Sequence, residues 1–342
     1  MSCSSQSSEE RYRGEERLLD FQGRVLKGAG AIFLQQDQEC QPCMADLKDV
    51  LLQHITPGYT AESGREYTEF IQEAVSAMKH EQSTTYRFPL GQSSASDPVQ
   101  MAEILAHHAK ILRTCGCSEG NWRFWCHNGP LQSLWEKWQD LLDLNDLREW
   151  EPLTIDTGNG RSIEILADRC GYSISLTSSM GDDDETSVRD DRQIFSHAVF
   201  AKIADKGRVN LYADADRAVA LSIACGEARS PLGSDLEAEN EMSRNIIKML
   251  HRFHKLGGQA SDLPVLGFTF VGPVFTVYLA ASTQRSSRGL VYLIQPIWSE
   301  NISTDVNALA FCTILSRFGK WCIEYARPRV GAALEDCLRS YK

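Results

Sequence analysis

Several sets of side chains in this sequence have the types and spacing to do chemistry. Glu227-Ala228-Arg229 sets a carboxylate and a guanidinium two residues apart, with Asp168, Asp214 and Asp216 as further carboxylates. Carboxylates of this kind can hold a divalent cation that polarises a phosphate and activates water. Cys115-Gly116-Cys117 with Cys126-His127 is the tightest cluster of thiols and imidazole. Structural zinc wants four ligands, usually with two or more residues between paired cysteines, so the one-residue gap speaks against it. Cys40-Gln41-Pro42-Cys43 has better spacing but stands far off in the chain, and a thiol nucleophile paired with His127 carries no specific signal. His251 and His254 lie one turn apart near a helix end, where imidazoles also complement the dipole. The run Asp182-Asp183-Asp184 lacks the spaced ligands and glycine of a calcium loop and reads as a solvated acidic loop. Lys27-Gly28-Ala29-Gly30 lacks the third glycine and the preceding strand of a dinucleotide loop. On these residues alone no metal or cofactor is expected.

These groups need elements to hold them. The 342 residues are long enough for a sizeable core, and 42% apolar, 24% charged and 9% aromatic residues are ordinary globular values. Residues 1–17 are polar and predict a disordered tail. Residues 18–98 predict a helical N-terminal extension, with Tyr67, Phe70, Ile71, Ala74, Val75 and Met78 on one face, ending in a Pro/Gly/Ser-rich loop. Residues 99–342 form the main domain. Asp97-Pro98 opens a helix with Met101, Ile104, Leu105, His108, Ile111 and Leu112 on its apolar face, and a second helix is predicted from Pro130 to Leu147. The period then changes to strands at Leu153–Asp156, Ser162–Leu166 and Tyr172–Leu176. Arg217–Cys225 reads as a strand buried on both faces. A long helix over Ser234–Leu256, three strands at Val265–Val271, Phe275–Ala281 and Leu290–Ile297, and a helix over Asp305–Ala326 complete the chain. Helices followed by strands, helix, strands and helix describe a helical extension leading into an α/β sandwich.

Charge and targeting narrow the function. A net charge of −11 repels phosphate backbones unless basic residues cluster. Arg285 with Arg288 reads as a solvated hairpin tip, and Arg317, Lys320, Arg327 and Arg329 as a terminal helix complementing its dipole, so nucleic acid is not an expected partner. The apolar run Leu263–Ala281 holds Pro264, Gly267, Gly272 and Pro273 and reads as two strands around a Gly-Pro turn, not a membrane helix. The N-terminus has no apolar core and no cleavage-like site, which points to an intracellular protein, cytoplasmic or nuclear, whose eleven cysteines are reduced.

One ordered set of motifs resembles a known family. Glu119, Trp122 and His127 precede Pro130-Leu131. Val209-Asn210, Ala220-Leu221-Ser222-Ile223, Glu237-Ala238, Leu263-Pro264, Gly272, and then Leu315, Trp321 and Tyr325 follow in order. The series resembles the fungal PD-(D/E)XK nuclease-like family over about residues 100 to 330. The resemblance implies a mixed central sheet flanked by helices, with a catalytic Asp on one strand and Glu-x-Lys on the next. It sets Asp168-Arg169-Cys170-Gly171-Tyr172 against the Asp segment and Ser222-Ile223-Ala224-Cys225-Gly226 against the Glu-x-Lys segment. Gly171, Ala224 and Gly226 then stand where Asp, Glu and Lys are needed, and none of them can ligate a metal by its side chain. Glu119, Trp122 and His127 read as structural.

Three functions stay open. The first is a degenerate nuclease fold with a pocket lined by Gly171, Ala224, Cys225 and Gly226, repurposed to bind or convert a small organic molecule, in keeping with fungal secondary metabolism. The second is a divergent magnesium-dependent nuclease using Asp168, Glu227 and Arg229. A three-residue shift along a strand turns a side chain to the other face, so this reading needs a bulge at Gly226. The third is a protein-interaction module without chemistry.

Overall fold

The structure is a computed structural model that describes residues 17–53, 55, 98–114, 122, 126, 142–146, 153–156, 162–165, 172–176, 194–195, 197–205, 221–285 and 289–340. The fold is mixed α/β. Six strands and the three-residue β1 make one seven-stranded sheet in the order β1-β9-β8-β7-β6-β5-β2. The strands are β1 (Ala31–Phe33), β2 (Leu142–Asp146), β5 (Tyr172–Leu176), β6 (Ser222–Arg229), β7 (Val265–Val271), β8 (Val274–Arg285) and β9 (Gly289–Asn301). β3 (Leu153–Asp156) and β4 (Ser162–Ile165) form a separate hairpin. β6 and β7 are parallel, β1 is parallel to β9, and the remaining pairs are antiparallel.

Among the described residues the α-helices are α1 (Pro42–Leu52), α2 (Pro98–Thr114), α3 (His197–Asp205), α4 (Asp235–Leu256), α5 (Asp305–Trp321) and α6 (Arg327–Arg339). α4 is the crossover that parallel strands require, and it packs on one face of β6 and β7. Its start is set by Ser234, whose hydroxyl accepts from the Glu237 N–H, and Asp235 and Glu237 suit the positive end of its dipole. α5 lies on the other face and carries α1 and α2. Its Phe311 meets Phe270 and Phe275, with ring centroids 5.9 and 4.1 Å apart.

The hairpin expected around Gly272-Pro273 is present: Gly272 has φ +58 and a side chain there would run into Pro231. Among the described residues no helix is long and apolar enough to cross a membrane. Several elements differ from expectation. The strand read over Arg217–Cys225 runs over Ser222–Arg229, with residues 217–220 outside the described residues. Leu142–Asp146, read as the end of a helix, is a strand paired with β5, because tertiary pairing overrides the local apolar spacing. Residues 17–53 are not purely helical: they place β1 on the sheet edge. The helix over 305–326 ends at Trp321 in a π turn (Cys322–Ala326), after which α6 begins.

The N-terminal segment is pinned to the sheet by Gln295, fully buried on β9. Its Nε2 donates to the carbonyls of Gln35 (2.8 Å) and Gln38 (2.7 Å), and its Oε1 accepts from the Cys40 thiol. α2 buries Ala102, Leu105, Ala106 and Ala109, while Ile111, expected on the apolar face, is exposed.

Candidate functional site

β6 is an interior strand between β5 and β7, and its two faces have different chemistry. Alternation puts Ala224, Gly226 and Ala228 toward α5, and Cys225, Glu227 and Arg229 toward α4. On the α5 face the room a glycine leaves is already filled. A Cβ at Gly226 would lie 1.8 Å from Phe268 Cε2 and 2.0 Å from Cδ2, because Gly226 and Phe268 are partners in the parallel register. Ala224 and Cys225 are fully buried. At Gly226, one of the residues expected to line a pocket with Gly171, Ala224 and Cys225, the space is taken by an aromatic ring from β7. Gly171 lies outside the described residues, as do Asp168, Asp214, Asp216, Glu119 and His127.

The bulge that a relocated nuclease site needs is not at Gly226. The β6–β7 register runs unbroken from Ala224↔Leu266 to Arg229↔Val271. The irregularity in β6 lies toward β5, next to Ile174/Ser175. Glu227 and Arg229 therefore face away from the side on which Ala224 and Gly226 stand.

On the α4 face lies a row of buried polar groups. Glu227 is fully buried and Arg229 is 7% exposed. The Arg229 guanidinium pairs with Glu241 of α4 and has Glu237 at 3.8 Å. Thr269, the register partner of Glu227, hydrogen-bonds Tyr278 on β8. Burial, then the Glu239 carboxylate, push the Tyr278 hydroxyl well above the usual tyrosine range. Burial likewise raises Glu239, which accepts from Gln22 Nε2 at 3.2 Å. The row thus runs from Arg229 and Glu227 through Thr269 and Tyr278 to Glu239. Glu227, Arg229 and Thr269 lie toward the carboxyl ends of two parallel strands, beneath the first turns of α4. Lys248 and Asn245, both buried, share the helix edge that carries Glu241.

Sequence spacing singled out Glu227 and Arg229 but missed Glu241, Glu239, Thr269 and Tyr278. One signal was available. Glu241, Asn245 and Lys248 recur at helical spacing beside the apolar stripe Met242, Ile246, Met249 and Phe253, so polar residues occupy an inward edge.

Trp122 and Cys126 are buried in the core, and burial pushes the Cys126 and Cys225 thiols far above their usual range, assisted at Cys225 by the Glu227 charge. Such thiols stay protonated and are poor nucleophiles and ligands. Among the described residues no three His, Cys, Asp or Glu side chains converge to hold a metal. Three of the four basic residues grouped near the C-terminus are also committed, while Lys320 stands in the last turn of α5. Arg317 Nη1 donates to the carbonyls of Leu51 (3.1 Å) and Gln53 (2.7 Å). Arg327 is buried with its guanidinium 4.1 Å from the Phe195 ring centre, and Arg329 stacks 3.4 Å from that of Tyr325. Both open α6 rather than closing a helix, so the expected dipole role at a C-terminus is corrected: stacking holds them.

His251, the inner member of the histidine pair, is hydrogen-bonded through Nδ1 to the Tyr292 hydroxyl at 3.0 Å. Burial, then Lys255, His254 and Arg252, lower it from 6.5 to about 4. The folded protein keeps this ring neutral down to about pH 4, whereas the unfolded chain protonates it near 6.5. Between those values the unfolded state binds more protons, so stability falls as pH falls. The group is only partly buried, which trims the effect to roughly 1–2 kcal/mol. Urea unfolding at pH 7 and pH 4.5 should show the wild type losing that much more stability than His251→Gln. Parallel losses in the two proteins would refute it.

No protein-family model matches the chain, and no curated protein sequence matches it.

Proposed function

We propose that this chain is a nuclease-like protein that no longer hydrolyses phosphodiesters and instead binds, or converts without hydrolysis, a small organic molecule at the polar row beneath α4. The observation that carries this reading is the division of labour on β6. Its α5 face, where the resemblance puts the catalytic Glu and Lys, is sealed by Phe268, while its α4 face holds buried charge. Buried ion pairs are weak contributors to stability, and an apolar layer of the same shape serves a core as well or better. Ionisable groups retained at such cost at strand ends are functional-site candidates. The committed Arg317, Arg327 and Arg329, with the net charge of −11, support a small-molecule ligand over a nucleic acid. A place in fungal secondary metabolism rests on the resemblance in sequence alone.

Two measurements test the reading. Purified protein incubated with DNA or RNA and Mg²⁺ or Mn²⁺ should cleave no faster than its Glu227→Gln variant. Metal-dependent cleavage lost in that variant would restore the divergent nuclease. A thermal-shift screen of small polar molecules should then find a ligand that raises Tm in the wild type and not in Glu227→Gln. A hit that stabilises both proteins equally would move the site away from β6.

A further inference from the structure

We infer that residues 17–25 form a displaceable strap that closes one side of the polar row. The inference rests on the small-molecule reading for what the strap guards, but the strap itself can be tested without a ligand. Three contacts hold it to α4. Asn240 Nδ2 donates to the Leu18 carbonyl at 3.1 Å, Gln22 Nε2 donates to Glu239 at 3.2 Å, and the Arg244 guanidinium lies 4.2 Å from the Phe21 ring centre. None of the nine residues from Arg17 to Val25 is buried. The apolar anchoring starts abruptly afterwards, with Leu26, Ala29 and Ala31 at 0–3% exposure.

The junction between strap and anchor is a weak element. It is a π turn, Gln22–Leu26, closed by the Lys27 N–H on the Gln22 carbonyl at 3.0 Å. Such turns are rare and recur at functional sites. Gly28 follows directly, and its hydrogen stands where a Cβ would lie 2.3 Å from the Arg24 carbonyl oxygen and 2.7 Å from Ile163 Cδ1. Only glycine lets the last turn of the strap seat fully against its anchor.

What lies beneath the strap is polar and incompletely satisfied. Asn240 Oδ1 and Ser243 Oγ belong to side chains at most 1% exposed and have no hydrogen-bond partner among the described residues. Buried polar atoms ordinarily find partners. Here two remain beside Glu239, and the strap supplies only a main-chain carbonyl and a primary amide to the helix. Those two groups take positions that the carbonyl and N–H of a small amide-bearing molecule would fill. The strap therefore acts as an internal competitor: it covers Glu239 and Asn240 when docked and yields them when it lifts. Segments held by few buried apolar contacts open at free energies well below that of global unfolding.

Hydrogen exchange read by mass spectrometry on the full chain tests this. Amides in the peptide covering residues 17–27 should exchange at a rate nearly independent of low urea, while those of β8 and β9 should track global unfolding. Phe21→Ala, which removes an only partly buried ring, should speed exchange in that peptide at least tenfold and leave β8 unchanged. Gly28→Ala should do the same by forcing the last turn off its seat. The inference is overturned if the 17–27 peptide shares the urea dependence of β8, or if either variant speeds both regions equally. A failed ligand screen with a fast-exchanging strap would count against the small-molecule reading and leave the strap standing.

Discussion

Gly226→Ala should cost the protein about 3 kcal/mol or more of stability, at the upper end of what overpacking a core produces. The added methyl would lie 1.8, 2.0 and 2.5 Å from three carbons of the Phe268 ring. Real Cβ atoms do not approach that closely, so the ring or the strand must move. Neither moves freely. Phe268 stands edge-on to Phe270 at 5.9 Å and beside Phe275 at 6.0 Å, and Phe275 is in turn held by Phe311 at 4.1 Å. β6 is hydrogen-bonded to a strand on each side. A double-mutant cycle gives the sharper measurement. Phe268→Leu alone removes core volume and should destabilise, but combined with Gly226→Ala it should recover part of the loss, with a coupling of about 1 kcal/mol or more. Urea unfolding of the four proteins reads all the terms. Additive losses would mean that the ring does not occupy the space at Gly226. The cycle also bears on function. If alanine is not accommodated at 226, a lysine cannot stand there, and a nuclease site cannot be rebuilt by Ala224→Glu with Gly226→Lys.

Gly226 also illustrates what the sequence could and could not disclose. A run of small residues reads as room. Whether the room is empty depends on a residue forty-two positions later, brought alongside by a crossover helix and a strand register that no local pattern encodes. The same gap separates the two faces of β6. Strand alternation predicts that Glu227 and Arg229 face away from Gly226, and they do, but their burial and the Glu241 partner on α4 are tertiary facts. Elements with strong local signals were legible: the Gly272-Pro273 hairpin, the Ser234-capped helix and the alternating Tyr172–Leu176 strand all stand where the pattern puts them. Elements decided by their neighbours were not. Leu142–Asp146 continues a helical spacing of leucines and becomes a strand through β5, and β1 has only three residues with which to announce itself.

Arg229→Met should destabilise the protein by about 3–5 kcal/mol at neutral pH, the range for removing one partner of a buried pair. Methionine matches much of the arginine stem, so the lost packing is small and the loss comes mainly from charge. Glu241, whose side chain is 12% exposed, keeps its carboxylate beside a residue that no longer neutralises it, and Glu227 remains buried two residues away on the same strand face. The pH dependence identifies this cause. Without the guanidinium, burial and mutual repulsion favour the protonated carboxyls, so the folded variant binds more protons than its unfolded chain. Its stability should therefore rise relative to wild type as the pH falls, and the deficit measured at pH 7 should shrink by pH 5. A packing defect would not depend on pH in this way. Adding Glu241→Gln to Arg229→Met removes the uncompensated charge and should recover more than half of the loss, whereas Glu241→Gln alone should weaken the wild type. If the single variant is as stable as wild type, or if the deficit is constant from pH 7 to pH 5, the charges on this face are screened by water. The row beneath α4 would then be an ordinary solvated surface, with no claim to be the site at which this protein acts.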